Sequence, residues 1–247
     1  MKKNVVFLIL AALTLFAIPA YRHDFAFAAD LNQTIKTVEV SDGSFKGVAS
    51  LSGTGENFVE NLKVTVKFED FTPYIINLED GYSPSIETFD FGAEDKLLFC
   101  SSQTGGSGGY GNYRVYKLNT TNYRLLYDDK TDSKKSTFDA VFKPHGFMNI
   151  TDNATKNTLP VYVGYMDATF YDMIFNPDGS LKGEQPYVND ISFVSPALNP
   201  ASGIWRLTTY RSVAAVAEVN RLGYFVQTLS FDGEKFYAEF TQFSISV

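Results

Sequence analysis

Apolar and polar residues alternate along much of this chain, and the alternation has a period of two. Val64-Thr65-Val66-Lys67-Phe68-Glu69 alternates strictly, as do Tyr113 to Leu118, Tyr224 to Leu229 and Phe243 to Val247. Successive side chains on a strand point to opposite faces, so each run buries one face and wets the other. Turn residues punctuate the runs. Asn176-Pro177-Asp178-Gly179, Asp232-Gly233 and Asp80-Gly81 sit at the ends of apolar segments and predict hairpin turns. Leu97-Leu98-Phe99-Cys100 is continuously apolar, the pattern of a buried strand. The best helical signal is Val213 to Asn220, with Ala214, Ala215 and Ala217, and it is long enough only for a short helical turn or a loop. Lys130, Lys134 and Lys135 among Asp128, Asp129 and Asp132 read as a solvated loop, and Thr151 to Thr158 as a long polar loop.

The pattern repeats once. Phe89-Asp90, Leu97 to Phe99, Tyr113 to Leu118 and Tyr123 to Tyr127 form a first set of strands. Ser192 to Val194, Ile204 to Leu207, Tyr224 to Leu229 and Lys235 to Ala238 form a second. Each set reads as a meander of three to four strands. The fold class is therefore all-β, a propeller-like array of antiparallel meanders, with a β-sandwich as the alternative.

Short motifs occur in a fixed order along the chain: Gly81-Tyr82-Ser83-Pro84, Phe89-Asp90-Phe91-Gly92, Gly105-Gly106-Ser107-Gly108-Gly109 and Leu222 to Leu229. Together they resemble those of secreted bacterial proteins related to FG-GAP and VCBS repeats. That resemblance implies an exported, propeller-like protein with calcium in Asp-rich loops, and it brings no enzymatic activity. The matching loop here, Asp90-Phe91-Gly92-Ala93-Glu94-Asp95, keeps Asp90, Glu94 and Asp95 as metal candidates but lacks the middle acids. The second meander's counterpart, Ser195 to Pro200, has none. Calcium takes six to eight oxygen ligands, more than either stretch supplies.

The N-terminus adds a location. Lys2 and Lys3 precede an apolar run from Val5 to Ala20, and Ala26-Phe27-Ala28 gives an A-x-A cleavage position. This predicts a secretory signal peptide over 1–28 and a single β-rich domain over 29–247, with 29–58 a candidate for a loosely packed extension. The run falls short of the roughly 20 residues of a spanning helix. The expected destination is extracellular, with no membrane span left after cleavage.

Charge narrows the partners. With 28 acidic and 21 basic residues the formal net charge is −7. That balance argues against nucleic acid, which needs a clustered basic face. The single cysteine, Cys100, permits no intrachain disulfide. Thr104 to Gly109 lacks the Lys-Ser/Thr pair and following helix of a phosphate loop. Two acid pairs flank aromatic segments, Asp167 with Asp172 and Glu87 with Asp90. Their odd spacing on a strand would put each pair on opposite faces.

What remains suits binding. Gly105, Gly106, Gly108 and Gly109 offer a bare backbone flanked by Tyr110 and Tyr113. Arg206, Tyr210 and Arg211 place guanidinium groups beside rings, a combination that holds carboxylates or sugar rings. The function expected is a non-catalytic binding protein with a ligand outside the cell. The alternatives are a secreted hydrolase using two carboxylates, and an envelope or coat component that self-associates through strand edges.

Overall fold

The computed structural model describes residues 33–106 and 109–245, the side chain of Glu218 excepted, and the predicted signal peptide lies outside them. The described chain is all-β and antiparallel, in three sheets. The first sheet begins with β1 (Gln33–Asp42), β2 (Phe45–Thr54) and β3 (Phe58–Phe68), paired in order. β3 then changes partner along one edge. Its Lys63–Val66 half pairs with β4 (Tyr74–Asn77), whereas Phe58 and Val59 pair with β5 (Gly81–Phe89). Asn61, at φ 54°, lies between the two halves. β6 (Leu97–Gln103), β7 (Gly111–Leu118) and β8 (Tyr123–Asp128) continue the sheet.

Helix α1 (Asp129–Lys135) leads to the second sheet, formed by β9 (Phe138–Lys143), β10 (Phe147–Asp152) and β11 (Thr158–Tyr162). Helix α2 (Ala168–Ile174) precedes the third, a four-stranded meander of β12 (Pro186–Leu198), β13 (Trp205–Ala215), β14 (Ala217–Phe231) and β15 (Phe236–Ile245). The two sequence repeats correspond to β5–β8 and β12–β15, each an up-and-down meander in chain order.

There are three apolar cores, the first within the first sheet and the other two between sheets. In the first, Leu51, Val64, Val66 and Phe68 of β2 and β3 meet Ile86, Leu98 and Cys100 of β5 and β6. The opposite face of that meander supplies Leu97, Phe99, Tyr113 and Val115 to the second core, against Ile191, Val194, Leu207 and Leu229 of the third sheet. In the third core, Val213, Ala215 and Phe225 pack on Phe142, Met148 and Ile150 of the second sheet and on Ile174 and Phe175 at α2. Strand β6 is thus buried on both faces, which explains its uninterrupted apolar run. A buried Leu, Val or Phe contributes about 1.5–3 kcal/mol relative to an exposed one.

The structure corrects several local expectations. The all-β, antiparallel class is as expected, and the described strands show neither a closed barrel nor a ring of blades. Residues 33–54, expected to belong to a loose extension, form two ten-residue strands hydrogen-bonded into the first sheet. The segment 213–220 is strand rather than helix. Ala215 pairs with Ala217 across Val216, at φ 66°, because burial of Val213 and Ala215 overrides the helical propensity of alanine. The supposed solvated loop at 129–135 is α1. Asp128 caps it by accepting from the Thr131 N–H at 2.8 Å, with acids in its first turn and Lys134 and Lys135 in its last. Asp167 likewise caps α2, so the strand spacing argument for Asp167 and Asp172 lapses. The polar stretch after β10 is the turn of the β10–β11 hairpin.

Candidate functional site

The third sheet turns one face toward the other sheets and one face away. Leu207 and Leu229 enter the second core, so Thr208, Tyr210 and Ser212 of β13, and Tyr224, Val226 and Thr228 of β14, point outward. Register aligns Phe193 of β12 with Tyr210, and Tyr210 with Val226. The Phe193 and Tyr210 rings lie 5.6 Å apart, and those of Tyr210 and Tyr224 6.3 Å apart. Three aromatic residues therefore cross three adjacent strands in a row. Thr208 and Ser212 beside them are small and buried, so the rings form the relief of this face. Phe193 is 43 % exposed.

One guanidinium group borders the row. The Arg221 head lies 5.1 Å from the Tyr224 ring centroid and donates to the Tyr224 hydroxyl at 2.6 Å. Farther along β13, Arg206 makes a forked contact with Glu239, through Nε at 2.9 Å and Nη2 at 3.1 Å, and Nε also donates to the Ser230 hydroxyl. Rings with bordering guanidinium groups offer flat apolar contact and directed hydrogen-bond donors to one ligand.

Of the residues chosen from sequence, Arg206 and Tyr210 lie on this face. The others do not join them. Tyr113 is 1 % exposed, because β7 is a central strand buried on both sides; its ring meets Phe193 edge-on at 5.8 Å from below. Arg211 is 2 % exposed, because it is one residue out of phase with Tyr210 and points inward. Its head lies over Phe138 at 5.3 Å, and Nη1 donates weakly to the Asn189 carbonyl at 3.4 Å, while Nε and Nη2 have no hydrogen-bond partner among the described residues. Burial lowers its pKa, against the opposing pull of Asp132. Neither Tyr113 nor Arg211 is a surface contact. The glycines belong to the β6–β7 hairpin. Gly105, at φ 79°, packs under Tyr82, and Thr104 and Tyr110 close the loop by backbone bonding at 2.9 Å. Gly106 and Gly109 are exposed; Gly108 lies outside the described residues.

Asp90, Glu94 and Asp95 fall in the β5–β6 loop, at the opposite end of β6 from the glycines. They help line an open cleft of about 1060 Å³, whose other wall includes Val40, Lys46 and Phe68. The three acids do not fit a metal. Asp95 accepts from the Ser41 hydroxyl at 2.8 Å and the Gly43 N–H at 2.9 Å, and Asp90 accepts from the Gly92 N–H of its own turn. Among the described residues no cluster of three acids, histidines or cysteines is placed to hold an ion. Glu87 pairs with Lys36 at 3.2 Å, apart from Asp90 in role.

Sequence reasoning overlooked Phe193, Tyr224 and Arg221. The signal was present: Tyr210 and Tyr224 both stand at positions out of phase with buried leucines. It also overlooked Asp129, 4 % exposed, whose carboxylate accepts the Tyr113 N–H at 2.8 Å. Burial pushes its pKa up from 3.8 to about 6 against that hydrogen bond, and Asp128 raises it further.

Fold and face together describe an antiparallel all-β protein with an outward aromatic sheet face. Residues 136–244 are similar to the YybI C-terminal domain family. The match covers less than half of the chain, and it spans β9 to β15, so the aromatic face lies within it. No curated protein and no solved structure matches the chain.

Proposed function

We propose that this chain is an exported binding protein, without a catalytic step of its own, that acts at or outside the cell surface. The supporting observation is the row Phe193–Tyr210–Tyr224 across β12–β14, bordered by Arg221 at Tyr224. Rings on a rigid sheet offer contact area at little cost in conformational freedom, and guanidinium groups pair with carboxylates. The ligand class that suits both is a uronate-bearing glycan. The apolar leader at 5–20 and the resemblance to secreted repeat proteins favour export. A hydrolase would need one acid held protonated in an apolar setting, whereas Asp90 and Glu94 in the cleft are exposed.

The test is calorimetric titration of the protein with polygalacturonate and with neutral dextran. Binding of the uronate polymer alone is expected, weakened roughly three- to thirtyfold by Tyr224→Ala or Tyr210→Ala, the range of a lost ring contact. Absence of uronate binding, or binding indifferent to both substitutions, overturns the reading.

A further inference from the structure

The free edges of the three sheets are not alike. Along β1, Lys36 reaches across to Ser85 and Glu87, and the register is broken between Thr34 and Lys36. β4 has only four residues, β11 carries Pro160, and β9, the other edge of the second sheet, has six residues that include Asp139 and Lys143. β12 holds Pro186 and Pro196, and its pairing shifts twice between Val188 and Phe193. β8 ends in α1, and its Arg124 crosses to the Glu234 carbonyl. Short length, proline, bulges and inserted charge are the devices that keep an edge from pairing with another chain.

β15 keeps its one such device at one end. A shift between Thr228 and Leu229 leaves Glu239 as an extra residue, and that carboxylate is already engaged by Arg206 and Ser230. Beyond it, Phe240 to Ile245 pair regularly with Thr228 back to Gly223. These six residues, Phe-Thr-Gln-Phe-Ser-Ile, contain no charge, proline or glycine. Phe240 is 57 % exposed and Ile245 48 % exposed, one on each side of the strand. β15 pairs only with β14, so its other row of backbone groups has no strand partner among the described residues.

We infer that the Phe240–Ile245 edge is an interface for a second copy of this chain, joined by antiparallel β15–β15 pairing about a two-fold axis perpendicular to the sheet. A row of amide donors and carbonyl acceptors is complementary to another strand edge, and here the strand complements itself. Registers centred on Gln242 or Phe243 keep the two Glu239 carboxylates from facing each other. Overall the chain carries −7 and repels its own copies, so a neutral edge is where two copies can meet. Such pairing is isologous and closes at two. It merges two four-stranded sheets into one of eight strands, with both aromatic faces on the same side. The inference does not depend on the ligand proposed above.

The experiment uses the full chain in sedimentation velocity at about 100 μM. Gln242 lies at or next to the axis, so Gln242→Lys sets like charges opposite or diagonal to each other, as does Gln242→Glu. Each variant alone is expected to weaken the dimer roughly fivefold or more, and an equal mixture of the two is expected to restore it by pairing opposite charges. Circular dichroism melts unchanged from wild type show that both variants fold. A wild-type monomer, an open-ended polymer, or a dimer insensitive to charge at 242 overturns the inference. So does a mixture that stays monomeric.

Discussion

Replacing Asp129 by asparagine should stabilise the protein at neutral pH and do little near pH 4. Asp129 is buried at the first turn of α1, and burial raises its pKa from 3.8 to about 6, with Asp128 adding to the rise. The Tyr113 N–H and Lys130 pull the other way without cancelling it. An acid whose folded pKa lies above its unfolded value binds its proton more tightly in the folded state. Its contribution is therefore fully present below pH 3.8 and is lost as pH rises through 6. About two pKa units at 1.36 kcal/mol each gives an upper bound of about 3 kcal/mol. Asparagine keeps an oxygen to accept the Tyr113 N–H and carries no charge to desolvate. The assay is urea unfolding of wild type and Asp129→Asn at pH 4 and pH 7.5. The difference between the proteins, not either curve alone, isolates this residue, because burial also raises the Asp132 carboxyl. Expected is a variant about 1–3 kcal/mol more stable at pH 7.5 and nearly equal at pH 4. A variant less stable at pH 7.5, or a difference independent of pH, refutes the assignment.

Two further outcomes follow from the loops. Gly105→Ala should lower the urea midpoint by the equivalent of about 1–3 kcal/mol, because its backbone is left-handed and a Cβ would lie 2.2 Å from the Tyr82 ring. Gly106→Ala, with nothing within 4 Å, should be close to neutral, and equal effects at the two sites would refute the packing argument. Calcium followed by chelator should leave the thermal midpoint unmoved, since Asp90 and Asp95 are committed to turn and strand contacts. A bound ion at a hundredfold excess over its dissociation constant would add about 2.7 kcal/mol, which a melt would show at once.

The fold class and both meanders were legible because period-two alternation and turn residues are local signals. Leu97 to Cys100 could be read as a buried strand from its apolar run alone, and the two cores show that it is buried on both faces. What escaped reading depends on distant partners. Val213 to Ala215 become strand because Phe142 and Phe225 cover them, a fact absent from the segment itself. Asp128 could have been recognised as a cap, but the apolar periodicity that usually announces a helix is missing from the seven polar residues of α1. The site was half legible for a similar reason. Tyr210 and Arg211 are adjacent and equally plausible as ligands, yet a strand sends neighbours to opposite faces. Which face is outward depends on Leu207, whose partners lie in β6 and β12.

Strand β13 shows what that inward face costs. Its inward positions run Leu207, Thr209, Arg211, Val213 and Ala215, apolar at both ends and polar between. Leu207 belongs to the core shared with β5–β8, and Val213 and Ala215 to the core shared with β9–β11. Arg211 stands where the sheet passes from one partner to the other. Its head lies on Phe138 from the third core, and its charge acts on Tyr127 from the second. The Tyr127 and Thr209 hydroxyls, like Arg211 Nε and Nη2, have no hydrogen-bond partner among the described residues. A sheet continuous with one core would have had no reason to bury these groups, since unpaired polar atoms cost about 1–3 kcal/mol each. They mark instead the seam between two cores that share a single sheet. The exposed Phe193 ring and the half-buried Tyr210 and Tyr224 rings lie on the reverse side of that sheet, which both cores support. A rigid support of this kind is what a binding face requires.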